Sequence, residues 1–478
     1  MTDPRPASTP RRRRIPRLVA FGLGLLAVIG LCYGGWHHIG CGPRNEHWAT
    51  PLEYPNRDDA ARHDPSKFES AAVCGSCHIQ HYAEWRESGM GRSSELSAFL
   101  IDLYQTSLDL RGAPAEDIAQ CLHCHAPLAV MGEHPDLAIE RALSQEAVSC
   151  DVCHTATAAY ANDAPGMLQW DPDGPKRGPL PGSVDPEVPG VRRAVSPHHA
   201  TQYSSLHESS ELCGACHMSL WPTNALPIDW TYAEWKRSPY AERGVTCQAC
   251  HMPTYRGVAA PGAPERERLH RHSFPGGGDV ELVRGVATLD VSAVAHFAGH
   301  EVQVEVENVR AGHSFPTGNA TAPVVKLVVE ARADDGRVVF DDTREFKLTY
   351  GDKDGNVVND PSAAHKLLSD TTLQPLEPRH ERFFVAHLHG ATSVRARLIY
   401  QRWNDNISGA HRADVLQEFV GRYLAQGIQL HRLPANLRQL DLDKLARVRN
   451  MAPTLVAEAE LKLPPPPQDP TSADPSGR

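Results

Sequence analysis

Apolar positions recur along this chain with two different periods, and the change falls near residue 280. Before it, residues 94–118 place Leu96, Phe99, Leu100, Leu103 and Tyr104 at the spacing of a helix with one buried side. After it the period drops to two. Val302, Val304 and Val306 alternate with Glu301, Gln303 and Glu305. Val325, Leu327 and Val329 repeat the alternation, as do Val394, Ala396, Leu398 and Tyr400. Turn signals at Asp334-Asp335-Gly336 and Asp354-Gly355 separate such runs. That texture predicts a sandwich of roughly seven strands. Helical spacing returns over residues 413–426, with Leu416, Phe419, Val420, Tyr423 and Leu424 on one stripe, and a second short helix is expected over residues 440–449. From residue 464 the chain is rich in Pro, Ser and Asp, a composition of disorder.

The longest uncharged run lies at the other end. Residues 18–36 follow Arg11 to Arg14 and Arg17 and are long enough, as a helix, to cross a hydrocarbon core. They predict a membrane helix with the arginines in the cytoplasm and the rest of the chain outside. A cleaved signal peptide is the rival reading. Lipid attachment at Cys41 is a third, although His38-Ile39-Gly40 makes a poor lipobox. The whole pattern predicts an α+β multidomain chain. Its parts are a basic segment and transmembrane anchor (1–36), a linker (37–70), a mainly helical, loop-rich domain (71–278), a β-sandwich-like module (279–405), a helical C-terminal segment (406–463) and a disordered tail (464–478).

Five copies of Cys-x-x-Cys-His populate the 71–278 region: Cys74–Cys77–His78, Cys121–Cys124–His125, Cys150–Cys153–His154, Cys213–Cys216–His217 and Cys247–Cys250–His251. Two thiols three residues apart lie on one side of a helical turn, where both can form thioethers to a porphyrin edge. The next residue, His, then sits under the iron as proximal ligand. Structural zinc would pair one Cys-x-x-Cys with another and has no need of a His after each. Ten of the twelve cysteines are used in this way, so no disulfide framework is expected. The reading is five covalently bound haem c groups. Motifs two and three begin 29 residues apart and motifs four and five 34, which predicts haems in packed pairs. A Pro/Gly-rich stretch over residues 171–190 is expected to separate two haem subclusters. Two near copies, Tyr82-Ala83-Glu84-Trp85 and Tyr232-Ala233-Glu234-Trp235, each follow one motif and lead to another. Both are expected to be helices whose Trp packs on a haem.

Each iron also needs a partner on its far side, or an open position. Beyond the five proximal histidines, position in the chain selects His134, His199, His207, His272 and His313 as distal candidates, with Met90 as a thioether candidate. The plainer reading of each His is a solvated or hydrogen-bonded side chain, and of Met90 apolar packing. Covalent haem c is attached outside the cytoplasmic membrane, which places the bulk of the chain in the periplasm. A formal charge of −10, made more negative by haem propionates, argues against nucleic acid and for a basic redox partner.

Several of these segments resemble a known family. Trp85-x-x-Ser88 after the first motif, Cys-Leu-His-Cys-His-Ala-Pro-Leu (121–128), Val148-Ser149-Cys150-Asp151-Val152-Cys153-His154-Thr155, Leu212-Cys213-Gly214-Ala215-Cys216-His217 and Cys247-Gln248-Ala249-Cys250-His251-Met252-Pro253 look like the multihaem cytochromes of the cytochrome c-554 group. That group shares its haem packing with hydroxylamine oxidoreductase and the pentahaem nitrite reductases. The resemblance covers about residues 70–278, and the stretch Gly312-His313-Ser314-Phe315-Pro316-Thr317-Gly318 resembles a β module appended to some of these cytochromes. The family often has an axial His two residues after the Trp-x-x-Ser serine, where this chain has Met90. The Cys-x-x-Cys-Lys usual at the active haem of the nitrite reductases does not occur here, which argues against that activity. Taken together, the motifs, the N-terminal apolar run and the resemblance predict a membrane-anchored, periplasm-facing pentahaem cytochrome carrying electrons between redox protein partners, with no catalytic residue assigned. The alternative is an oxidoreductase acting on a small nitrogen or oxygen compound at one five-coordinate haem.

Overall fold

The structure, a computed structural model, describes residues 63–93, 122–131, 146–159, 168–220, 226–319, 322–358, 364–402 and 452–465. The apolar run 18–36, the helices expected over 94–118, 413–426 and 440–449, Cys121, His134 and most of the tail lie outside them.

The haem-motif region is not the mainly helical domain that its sequence suggests. Its longest described helix, Ile79–Glu87, has nine residues. The motifs sit in single turns such as Ala71–Gly75, Cys150–His154, Glu211–Gly214 and Cys247–His251, joined by loops and two- to six-residue strands. Helices this short have no stability of their own, because nucleation costs more than one turn returns. They hold here through capping and tertiary contacts: Ser70 caps its turn by accepting from the Ala72 amide, and Glu146 accepts from the Ser70 hydroxyl and the Ala71 amide. The expected membrane helix is likewise unsupported, since no helix among the described residues is long and apolar enough to cross a membrane.

Beyond the short helix Val280–Val283 the chain forms long strands. These are β1 (Ala287–Ala295), β2 (Gly299–Asn308), β3 (Val324–Arg332), β4 (Val338–Phe346), β5 (Leu348–Gly351), β6 (Val357–Val358), β7 (Lys366–Asp370), β8 (Pro378–Ala386), β9 (Ser393–Gln401) and β10 (Thr454–Lys462). One sheet has the order β1-β2-β8, a second β4-β3-β9-β10, and a small third β6-β5-β7. All their pairings are antiparallel. The inner faces of the first two sheets share one core. Val302, Val304, Val306, Phe383 and Val385 meet Val325, Leu327, Val329, Val394, Ala396 and Leu398 there. Strand β10 corrects the expectation of helix across 406–463. Thr454 and Val456 are buried with Leu455 exposed between them, the period of an outer strand completing the sheet beside β9.

The two Tyr-Ala-Glu-Trp copies are structural equivalents. Both are helical (Ile79–Glu87 and Thr231–Lys236). Trp85 Nε1 donates to the Val148 carbonyl and Trp235 Nε1 to the Val245 carbonyl, each at 2.8 Å. Each acceptor lies two residues before a motif cysteine, Cys150 or Cys247. Each Trp therefore fastens its helix to the start of the next motif but one or the next motif. Ser88 and Ser238 close both helices alike, turning their hydroxyls to the amides of Met90 and Tyr240.

Candidate functional site

One cavity of about 3010 Å³ runs through the motif region and against the sandwich. The nine described motif cysteines, all five motif histidines, Met90, His199, His207, His272 and His313 line it. Its size is several times the roughly 300–1,000 Å³ of a pocket for one drug-sized ligand, as a string of macrocycles requires. Basic side chains on the wall, including Lys176, Arg177, Arg268 and Arg310, suit the carboxylates that haems bring with them.

The motif histidines share one hydrogen-bonding arrangement. Nδ1 of His78 bonds the Ala259 carbonyl (2.9 Å), that of His125 the Ser93 carbonyl (3.4 Å), that of His154 the Arg177 carbonyl (2.6 Å) and that of His251 the Pro275 carbonyl (2.6 Å). His217 differs, turning Nδ1 to a carboxylate, Asp229 Oδ2, at 3.0 Å. All five partners are acceptors, so Nδ1 carries the proton and Nε2 keeps its lone pair for a metal. Asp229 is itself fixed by the Thr231 amide and hydroxyl. Burial works to lower the pKa of His217, but the bond to Asp229 raises it to about 9, so a metal has to displace the Nε2 proton of this ring to be bound by it. A carboxylate there makes this imidazole the most electron-donating of the five.

Three distal candidates face a motif histidine across a gap of iron-bridging width. With metal–nitrogen bonds of roughly 2 Å on either side, two imidazoles that sandwich one iron have ring centroids about 6 Å apart. The centroids of His78 and His199, of His154 and His272, and of His251 and His313 are each 6.3 Å apart. His199, His272 and His313 also engage Nδ1 with a carbonyl, of Ala200, His270 and Ser314 respectively. Burial lowers the pKa of His272 to about 3 and of His313 to about 4, so both rings are neutral, the form that ligates.

The other candidates stand differently. His207 turns Nε2 to the Cys153 carbonyl, leaves Nδ1 buried without a partner, and stacks on His154 at 5.4 Å, too close to admit an iron between them. Met90 is half-buried on the cavity wall, its carbonyl accepting from the Val148 amide. His134 lies outside the described residues. His63, placed by its sequence in the linker, packs edge-on against Phe68 and Trp170.

The sandwich delivers His313 through one loop in which almost every residue has a task. Asn308, fully buried, accepts from the Ala311 amide and donates to the His313 and Leu373 carbonyls. Gly312 passes so close to Tyr240 that a Cβ would lie 3.2 Å from that side chain. The Ser314 hydroxyl donates to Gln374 Oε1. Phe315 is buried in the sandwich core and stacks on Tyr400. Thr317 bonds Thr231 and Glu234 of the motif region, and Gly318 takes a positive φ of 94°. Sequence reasoning singled out His313 and missed Asp229, Glu234 and Thr317. The Glu84/Glu234 repeat was the available signal for Glu234, and nothing local marks Asp229 or Thr317.

Residues 73–155, spanning the first three motifs, match the family described as cytochrome c554 and c-prime. The fold is similar to the crystal structure of a penta-heme cytochrome c552 from Thermochromatium tepidum, with a TM-score of 0.59 at 21% identity, over 84% of this chain and 100% of that one. The family match and the donor set agree on haem c as cofactor.

Proposed function

We propose that this chain, a multihaem c-type cytochrome of the cytochrome c554 group, binds five haems and passes electrons along them between redox protein partners in the periplasm. The observation that carries the reading is the set of three histidine pairs, each 6.3 Å apart by ring centroid, each with its Nδ1 atoms held by carbonyls. Iron with a nitrogen ligand on both faces is six-coordinate and suited to exchanging electrons without binding substrate. The bound macrocycles supply the redox chemistry. The chain's own residues set their spacing and hold the imidazoles in one tautomer. Five motifs support five haems, and covalent attachment supports a location outside the cytoplasmic membrane.

The test is a haem-to-protein ratio together with low-temperature EPR of the oxidised holoprotein. The expected result is five haems per chain, with at least three low-spin centres. A ratio below three, or fewer than three low-spin centres, overturns the reading. A stoichiometric high-spin signal that shifts with nitrite or hydroxylamine would add an enzyme site to the electron-transfer chain.

A further inference from the structure

Glu84 and Glu234 occupy the same place in the two Tyr-Ala-Glu-Trp helices, and each holds the loop bearing a distal histidine. Glu84 accepts from the His272 amide at 2.8 Å, and Glu234 is bonded by the amide of Ser314, next to His313. Their partners differ in charge. Glu84 pairs with the Arg271 guanidinium at 2.5 Å. Burial works to raise its pKa, but the His272 amide and Arg271 hold it below the ordinary value. At Glu234 the place of Arg271 is taken by a hydroxyl, that of Thr317.

Thr317 continues a chain of contacts to the haem ligand His217. Glu234 Oε2 lies 2.7 Å from Thr317 Oγ1, which lies 2.8 Å from Thr231 Oγ1, which lies 2.6 Å from Asp229 Oδ1. The other Asp229 oxygen accepts from His217 Nδ1. Three oxygen–oxygen contacts of hydrogen-bond length need three protons, and two threonine hydroxyls supply two. The third must sit on a carboxyl at one end. Asp229 already accepts from the His217 ring, the Thr231 amide and the Thr231 hydroxyl, three donors that suit an ionised carboxylate. The proton therefore belongs to Glu234.

We propose that Glu234 is a neutral carboxylic acid whose proton is linked to the electron on the haem held by His217, through Asp229, Thr231 and Thr317. The inference rests on His217 as a haem ligand, the reading given above. The balance is one for one. Where the pH leaves Glu234 ionised in the oxidised protein, an electron delivered by a protein redox partner or a neighbouring haem is matched by one proton taken from water at its carboxylate, and oxidation releases both; where Glu234 is neutral in both states, no proton moves. Reduction removes one positive charge from the iron, so the reduced protein holds the proton more tightly. The groups facing Glu234 agree with a neutral acid. Burial raises its pKa to about 8, the Thr317 bond opposes, and the Asp229 and Asp370 carboxylates add to the rise. The nearby Tyr350 hydroxyl donates to the Pro227 carbonyl, and Arg237 lies three residues along. The cavity beside Glu234 and Thr317 measures about 10 Å³, room for no more than about one water.

The experiment is a spectroelectrochemical titration of the holoprotein from about pH 6 to 10, a range bracketing the Glu234 pKa, beside redox-difference infrared spectra. In the wild type the midpoint potential of one haem is expected to fall as pH rises, and a protonated-carboxyl band to appear. Glu234→Gln should flatten the slope and remove the band at unchanged haem content. An equal slope in both proteins, or no such band in the wild type, overturns the inference. Thr317→Val leaves the carboxyl in place and interrupts the relay, so it should reduce the slope while keeping the band. If the Gln variant does not fold with its haems, the wild-type band and its disappearance with rising pH decide the question alone. A wild type lacking haem at Cys213–Cys216 by peptide mass would instead defeat the haem reading itself.

Discussion

A histidine can serve an iron only when its ring is neutral, aimed and correctly spaced, and all three conditions can be checked at His313. Its ring is 6.3 Å from that of His251, its Nδ1 is turned to the Ser314 carbonyl, and burial keeps it neutral. Replacing His313 by Ala should convert one haem from low-spin to high-spin without changing haem content, because the Cys247 and Cys250 thioethers and His251 remain. Low-temperature EPR with a haem count reads this directly, and an unchanged low-spin population would remove His313 from the ligand set. Position in the chain was enough to select His199, His272 and His313 from the sequence. It could not separate them from His207, which offers a backbone carbonyl its other ring nitrogen and stands 5.4 Å, not 6.3 Å, from the motif histidine it faces. Asp229 and Thr317 were invisible for another reason. Their roles exist only where the motif region meets the sandwich, 86 residues apart along the chain at Thr231 and Thr317.

At the scale of elements, the alternation that marks β2, β3 and β9 in the sequence is the alternation by which those strands bury Val302 to Val306, Val325 to Val329 and Val394 to Leu398. Strand burial depends on neighbours two residues apart, which a sequence displays. The described part of the motif region is different: its helices are short and no local period displays the contacts that hold them. What organises it is the repeated Trp staple. Trp85→Phe keeps most of the ring's packing but deprives the Val148 carbonyl of its 2.8 Å donor. A fully buried acceptor left unpaired costs about 1–3 kcal/mol, and a part-buried one such as this falls at the low end, about 1 kcal/mol. A denaturant titration of the holoprotein should show a loss of that order, and Trp235→Phe should match it at Val245. A loss in only one of the two variants would mean that the two helices, alike in sequence and hydrogen bonding, are not alike in energetics.

For the molecule as a whole, the decisive quantity is charge. The chain carries a formal −10 at pH 7, and haem propionates deepen it. A field of that sign raises the encounter rate with a positively charged partner by roughly ten- to a thousandfold at low salt. The Debye length shrinks from about 30 Å at 0.01 M salt to about 8 Å at 0.15 M, so most of that steering is screened away at physiological ionic strength. Stopped-flow electron exchange with a basic small cytochrome should therefore slow by about tenfold or more over that salt range. Exchange with an acidic partner should quicken, since screening there relieves repulsion. A rate indifferent to salt for both partners would mean that docking is apolar. The exposed surface already offers a place for it at one end of the sandwich, where Phe297 is 90% and Leu388 86% exposed. These two follow β1 and β8, whose ends the backbone bond from the His387 amide to the Ala298 carbonyl brings side by side. Charging both positions, as Phe297→Glu with Leu388→Glu, would then abolish exchange in the apolar case. If steering governs, the same change should alter the rate only as two more negative charges do, speeding the basic partner slightly and slowing the acidic one.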